Sequence, residues 1–225
     1  MFFGVDVMTK RTTRAILSEE ESQPIGWQAQ KSASTRNLIL DAAINCFINM
    51  GYAGTTTAKI SQQAGLSRGA MLHHFPSKDI LVKAAIEYLH WRRIEAFRQG
   101  ISKIPNDHPS RIRAGLDVYW KHLTSPLFVA FHELAVASRT DPELMSIFKP
   151  AVEAFDAEWF DTARSLFPEW EPAGDIFELA MDLTQNLMEG MAINQMHAKD
   201  KKRAKKLLDW LENQLSDMLA GASDT

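Results

Sequence analysis

Apolar residues recur at three- and four-residue intervals along most of this chain, the spacing of helical faces, and caps, glycines and prolines interrupt the runs. From Thr35 to Met50, Ile39, Ala43, Phe47 and Met50 share a face, Gly51 stands where a helix must stop, and Tyr52 returns to the core. Thr57 offers a side-chain oxygen as N-cap to a short helix from Ala58 to Ala64, with Ile60, Ser61 and Ala64 on one side. Gly65 suits a left-handed turn, Leu66 plugs the junction, and Ser67 caps a second short helix from Arg68 to Phe75. Met71 and Phe75 lie at helical spacing within it. Ser77 caps a longer helix carrying Ile80, Leu81, Ala84, Ala85, Tyr88 and Leu89. A helix, a glycine turn and a second helix make the helix-turn-helix pattern, and the small Ser61 and Ala64 let its two helices approach.

Beyond Lys83, proline breaks set the rhythm. Pro105 and Pro109 bracket a loop, Ser125-Pro126 and Thr140 to Glu143 read as cap and first turn, and Pro168, Pro172 and Gly174 mark another break. Helices are therefore expected at about 77–103, 109–123, 126–139, 142–167, 174–197 and 200–220, which with the three before them make nine. Val, Ile and Thr form no alternating runs and no Asn-Gly hairpin signal occurs, so the expected class is all-α.

Residues 36 to 83, with ILDAAINCF and then GYAGTTTAKISQQAGLSRGAMLHHFPSKDIL, resemble the N-terminal DNA-binding domain of the TetR family of bacterial transcriptional regulators. The AA-x3-F, the GY, the TT, the AG-x-S and the HF-x-x-K occur in register. The resemblance implies a nine-helix fold and a cytoplasmic homodimer on a palindromic DNA operator, usually a repressor. It also implies a C-terminal helical domain that dimerises and binds a small-molecule effector. It assigns Thr57 to a phosphate contact and Arg68 to His74 to the recognition helix. Chemistry adds roles. Arg68 can grip a guanine edge or a phosphate, His73 and His74 can donate to phosphates, Lys78 places a charge near the backbone, and Gly69 and Ala70 leave room beside Ser67 for close approach. Leu72 stands where the family often has an aromatic residue. A weaker likeness to part of the family runs from Leu127 to Pro150, with FHELAVASRTDPELMSIFKP.

Charge divides along the same line. Residues 34 to 83 carry five basic and two acidic residues, whereas 84 to 225 carry sixteen basic and twenty-two acidic. A basic head on an acidic body is expected where one end meets phosphate. The expected division is a poorly ordered extension at 1–33, a DNA-binding domain at 34–83, and an effector-binding and dimerisation domain at 84–225. A basic N-terminal arm in the minor groove and a floppy leader are both open readings of the extension, which does not read as a signal peptide.

Among the C-terminal helices, Trp120, Phe128, Phe131, Phe155, Trp159 and Met188, with His132 to orient the guest, are the candidate lining of an effector cavity, although such stripes also serve as plain core. The last two helices are strongly apolar, with Ile176, Leu179, Leu183, Leu187 and Met191 on one and Leu207, Leu211, Leu215 and Met218 on the other, which suits a homodimer interface. Gly190 would permit close helix approach. The basic run from Lys199 to Lys206 reads as a solvated turn. No cofactor is expected. Adjacent His73 and His74 point about 100 degrees apart on a helix, so no metal site is expected either. Cys46 is the sole cysteine and reads as a small core residue in a reducing cytosol. No stretch is long and apolar enough to span a membrane. Catalytic signatures such as a glycine-rich phosphate loop, G-x-S-x-G or H-E-x-x-H are missing, so an enzyme is not expected. A helical protein-interaction adaptor is the alternative.

Overall fold

A computed structural model describes residues 25–197 and 200–223. Among them are nine α-helices, one 3-10 turn and no strand. The helices are α1 (Ile25–Gly54), α2 (Thr57–Gln63), α3 (Arg68–His74), α4 (Lys78–Ile101) and α5 (Arg111–Leu123). They continue with α6 (Pro126–Ser138), α7 (Pro142–Leu166), α8 (Asp175–Gln195) and α9 (Lys201–Ser223), and the 3-10 turn is Pro168–Ala173. Contacts divide the chain after Thr35, with Arg36–Thr225 forming one unit. The expected N-terminal extension and its minor-groove arm lie outside the described residues up to residue 24, while residues 25–33 belong to α1.

Local chemistry explains the motif. Gly51 sits inside α1 at φ 70°, ψ 169°, a conformation essentially closed to other residues, and kinks the helix there. The N-cap of α2 is Thr56, one residue before the expected Thr57: its side chain accepts from the Lys59 amide, and Thr57 becomes the first helical residue. Three consecutive threonines made that choice ambiguous. At the other end, the Gly65 amide donates to Gln62 O at 3.1 Å and the Leu66 amide to Ser61 O at 2.9 Å, with Gly65 at φ 66°. This paired pattern is a Schellman stop, and it turns the chain into α3. Ser67 then accepts from the Ala70 amide, and Ser77 from the Ile80 amide.

Two apolar clusters run through the unit. The first packs Ile39, Phe47, Ile60, Met71, Phe75, Leu81 and Leu89 with Leu134 and Phe148 from α6 and α7. Met71 and Phe75 are 0% and 1% exposed, so each contributes about 1.5 to 3 kcal/mol to holding α3 in place. The second packs Ile94, Phe97 and Ile101 with Leu116, Tyr119, Trp159, Phe177, Leu208 and Leu215. Helix α4 serves both clusters, passing from one to the other between Leu89 and Ile94. Met50 and Ile80, expected inside, are instead exposed.

Proline breaks fall where expected, with two refinements. Asp141 caps α7 by accepting from Leu144 N, but Ser125 makes no side-chain cap to α6. The break at Pro168 is an ordered 3-10 turn that buries Trp170. Helices α8 and α9 turn much of their apolar surface inward: Ala180, Met188, Met191, Leu208, Leu211 and Leu215 are buried within the chain. The outward apolar residues are Ile176, Leu179, Met196 and Trp210. The basic run at 199–206 has Lys201 to Arg203, Lys205 and Lys206 exposed on α9, and Lys199 lies outside the described residues.

Candidate nucleic-acid interface and effector cavity

Helix α3 is held by Met71 and its C-cap Phe75 and offers most of its surface outward. Arg68, Gly69, Ala70, Leu72 and His73 are exposed, as are Ser67 and Lys78, while Thr57 and His74 are partly buried. Burying one side chain of a seven-residue helix leaves the polar remainder free to meet a ligand as broad as a duplex groove.

Cations surround this surface with restrained heads. Arg36 lies 4.3 Å over the Phe75 ring and its Nη1 reaches His74 O at 3.5 Å. Lys59 donates to Gly54 O at 2.7 Å, and Lys78 Nζ sits 4.9 Å from the Tyr52 ring. Tyr52, Thr56, Lys59 and Arg36 were not singled out as site residues from sequence. Arg36 and Lys59 had only their charge as a signal, and Thr56 was masked by the threonine run.

Besides apolar packing, a hydrogen bond joins the DNA-proximal helices to α6. Tyr52 N, just past the kink, donates to Glu133 Oε1 at 2.8 Å. A Cβ at Gly51 would stand 2.7 Å from the same oxygen. The dihedrals call for glycine at 51, and a Cβ there would push the Glu133 carboxylate aside.

Farther along, a cavity of about 70 Å³ lies among α4, α5, α7, α8 and the 3-10 turn, with walls from Phe97, Leu116, Tyr119, Trp159, Trp170 and Phe177. Of the residues expected to line a pocket, only Trp159 reaches it. Trp120 lines a separate cleft with Val129 and Met196, and Phe155 lines another with His90 and Trp91. Phe128 and Met188 are buried core, and His132 stacks on Phe128 with ring centroids 6.1 Å apart. Phe131 packs against a buried cation instead.

That cation is Arg93, 1% exposed, at the junction of the two clusters on α4. Its guanidinium lies 4.1 Å from the Phe131 ring centroid and 4.4 Å from that of Phe155. Nε donates to His122 Nε2 at 3.3 Å, while Nη1 is buried without a partner. The bond from Arg93 makes His122 Nε2 the acceptor and so places the ring proton on Nδ1, which is itself unpartnered. His90 donates from Nδ1 to Ala151 O at 3.1 Å, leaving Nε2 bare. Burial, followed by the charge of Arg93, pushes His90 down to about 4 and His122 to about 3, so both rings are neutral at pH 7. Burial lowers Arg93 to about 10, which still leaves it charged. Burial raises Asp156 and Glu189 above the usual carboxylate range. A charge so placed costs several kcal/mol in lost hydration.

Comparison with known proteins agrees with the geometry. The profile of bacterial regulatory proteins of the tetR family matches residues 39–85. An HTH-type transcriptional regulator of Mycobacterium tuberculosis is 31% identical over 172 residues, 74% of this chain and 85% of its own. The HTH-type transcriptional regulator CymR of Pseudomonas putida is 30% identical over 181 residues, 78% and 86%. In fold, a tetR-family transcriptional regulator from Streptomyces coelicolor superposes with a TM-score of 0.63 at 18% identity, over 85% of this chain and 83% of that one. The chain belongs to the TetR family of bacterial regulatory proteins. It is a DNA-binding transcriptional regulator.

Among the described residues, no helix is long and apolar enough to cross a membrane, and no group of three His, Cys, Asp or Glu could hold a metal.

Proposed function

We propose that the protein is a cytoplasmic repressor that binds a palindromic operator as a homodimer and is released by a small-molecule effector. The observation that carries this reading is α3: Met71 is fully buried while Arg68, Leu72 and His73 project outward. In this reading residues 34–83 hold DNA and residues 84–225 hold the effector and the partner subunit. Arg68 reads a guanine edge and Leu72 meets a thymine methyl, while Thr57, Ser67, His73, His74 and Lys78 position the helix on phosphates. Gly69 and Ala70 allow the backbone close to the groove floor.

Dimerisation places two copies of α3 about 34 to 36 Å apart, one helical turn of DNA. The outward apolar residues of α8 and α9, Leu179 at 62% and Trp210 at 48% exposure, support pairing through those helices. The effector enters the aromatic cavity beside α4, whose residues also pack on the DNA-proximal core, so a shift of α4 alters the spacing of the recognition helices. A coupling of about 1 to 3 kcal/mol suffices for such control.

Fluorescence anisotropy of labelled duplexes tests this function. Effector-free protein is expected to prefer a selected palindrome over random duplex at physiological salt, with affinity falling as salt rises. Equal affinity for both duplexes would remove the repressor reading. A flat salt response would favour a helical adaptor.

A further inference from the structure

We propose that Tyr52 is a positioning residue for DNA binding: its ring holds the Lys78 ammonium ready for a phosphate, and Glu133 of α6 fixes the backbone that carries the ring. This rests on reading Lys78 as a phosphate contact. Three elements meet here. Tyr52 follows the Gly51 kink of α1, Lys78 opens α4, and Glu133 lies on α6. Lys78 Nζ lies 4.9 Å from the Tyr52 ring centroid, and Glu133 Oε1 accepts from Tyr52 N at 2.8 Å. The ring also packs against Phe47, itself buried, with centroids 6.2 Å apart.

An aromatic face suits this task better than a carboxylate. An ion pair would place the ammonium but neutralise it, and a phosphate would have to displace the partner. A ring quadrupole attracts the same cation and leaves its charge and its three N–H donors for the DNA. Lys78 is exposed, and among the described residues no carboxylate forms an ion pair with it. Burial, then the charges of Asp141, Asp79 and Glu143, raises the Tyr52 phenol above its usual range, so the ring meets Lys78 uncharged. A lysine already held in place loses less rotamer freedom when it meets the DNA backbone.

Glu133 makes this placement depend on α6. Its carboxylate holds the Tyr52 amide, while Leu134 and Phe131 of the same helix pack with the first apolar cluster. A movement of α6 that releases Tyr52 N would therefore loosen the platform under Lys78.

Fluorescence anisotropy of the full chain with a labelled random-sequence duplex at low salt tests the arrangement through double-mutant cycles. Tyr52→Leu should weaken binding about twofold to fivefold, and Tyr52→Phe, which keeps the π face, should bind as the wild type does. In a Lys78→Ala background Tyr52→Leu should change nothing, whereas independent effects would multiply. Glu133→Ala should show the same dependence on Lys78. A Tyr52→Leu loss that persists in full without Lys78 would make Tyr52 merely structural, and no loss in the wild-type background would show that Lys78 does not use the ring; either overturns the proposal. A Glu133→Ala loss undiminished by Lys78→Ala overturns the part assigned to α6. If Lys78→Ala alone leaves both affinity and salt slope unchanged, the phosphate reading of Lys78 fails and the proposal falls with it. Should Tyr52→Leu not fold by circular dichroism, Tyr52→Met replaces it in the cycle. The ε-methylene protons of Lys78 in the wild type, expected upfield in the ring current of Tyr52, test the contact without any variant, and an unshifted resonance refutes it.

Discussion

Replacing Gly51 by alanine loads two penalties onto one site. At φ 70° and ψ 169° an alanine pays about 1 to 3 kcal/mol of backbone strain. Its Cβ would also sit 2.7 Å from Glu133 Oε1, so the carboxylate must swing away and release the Tyr52 amide it holds at 2.8 Å. A hydrogen bond to a charged group contributes about 1.5 to 3 kcal/mol, which brings the expected loss to about 2.5 to 6 kcal/mol. Gly65 provides the control: it is also left-handed, at φ 66°, but a Cβ there meets nothing within 4 Å, so Gly65→Ala should cost only about 1 to 2 kcal/mol. Urea unfolding followed by far-ultraviolet circular dichroism, with an unchanged m value, reports both losses. If Gly51→Ala cost no more than Gly65→Ala, the Glu133 contact would not be holding the kink and the argument would fail.

Three further outcomes follow from the geometry. Arg68→Ala should change base preference and cost about 1 to 3 kcal/mol at one position of the operator, whereas Lys78→Ala should weaken every duplex alike and reduce the salt slope by about 1; anisotropy across base variants separates them, and uniform losses for both would make Arg68 a phosphate contact. Because burial holds His122 near 3 in the folded chain against an ordinary 6.5, the unfolded chain is protonated first as pH falls. Stability associated with this ring is complete above about pH 6.5 and is lost toward pH 3, so His122→Gln should flatten the fall between pH 7 and 4.5 by about 2 to 3 kcal/mol; parallel profiles for the two proteins would contradict that burial. Glu133→Ala should cost about 1.5 to 3 kcal/mol in the same urea experiment, and a loss below about 0.5 kcal/mol would show that water replaces the carboxylate at Tyr52.

What was legible in the sequence was local. Gly65, Ser67 and Ser77 act within three or four residues of themselves, and the Schellman stop and both caps occur where the residue types demand. Thr56 escaped because each of its two neighbours is an equally good cap, and only the backbone decides among them. Periodicity located the apolar faces of α8 and α9 but could not tell which half packs inward, since Leu179 and Met188 are alike until the other helices are placed. The Arg93 cluster was invisible for a deeper reason. His90, Arg93 and His122 read as ordinary polar interruptions of amphipathic helices, and their significance arises only where α4, α5, α6 and α7 converge.

Selection from a random duplex pool by the purified, effector-free protein tests the central claim most directly. The account predicts recovery of an inverted repeat whose half-site centres lie about 10 base pairs, or a multiple of that helical turn, apart, with an altered base at one half-site position when Arg68 is replaced by alanine. Recovery of no common sequence, or of a single unrepeated half-site bound by a monomer, would contradict it.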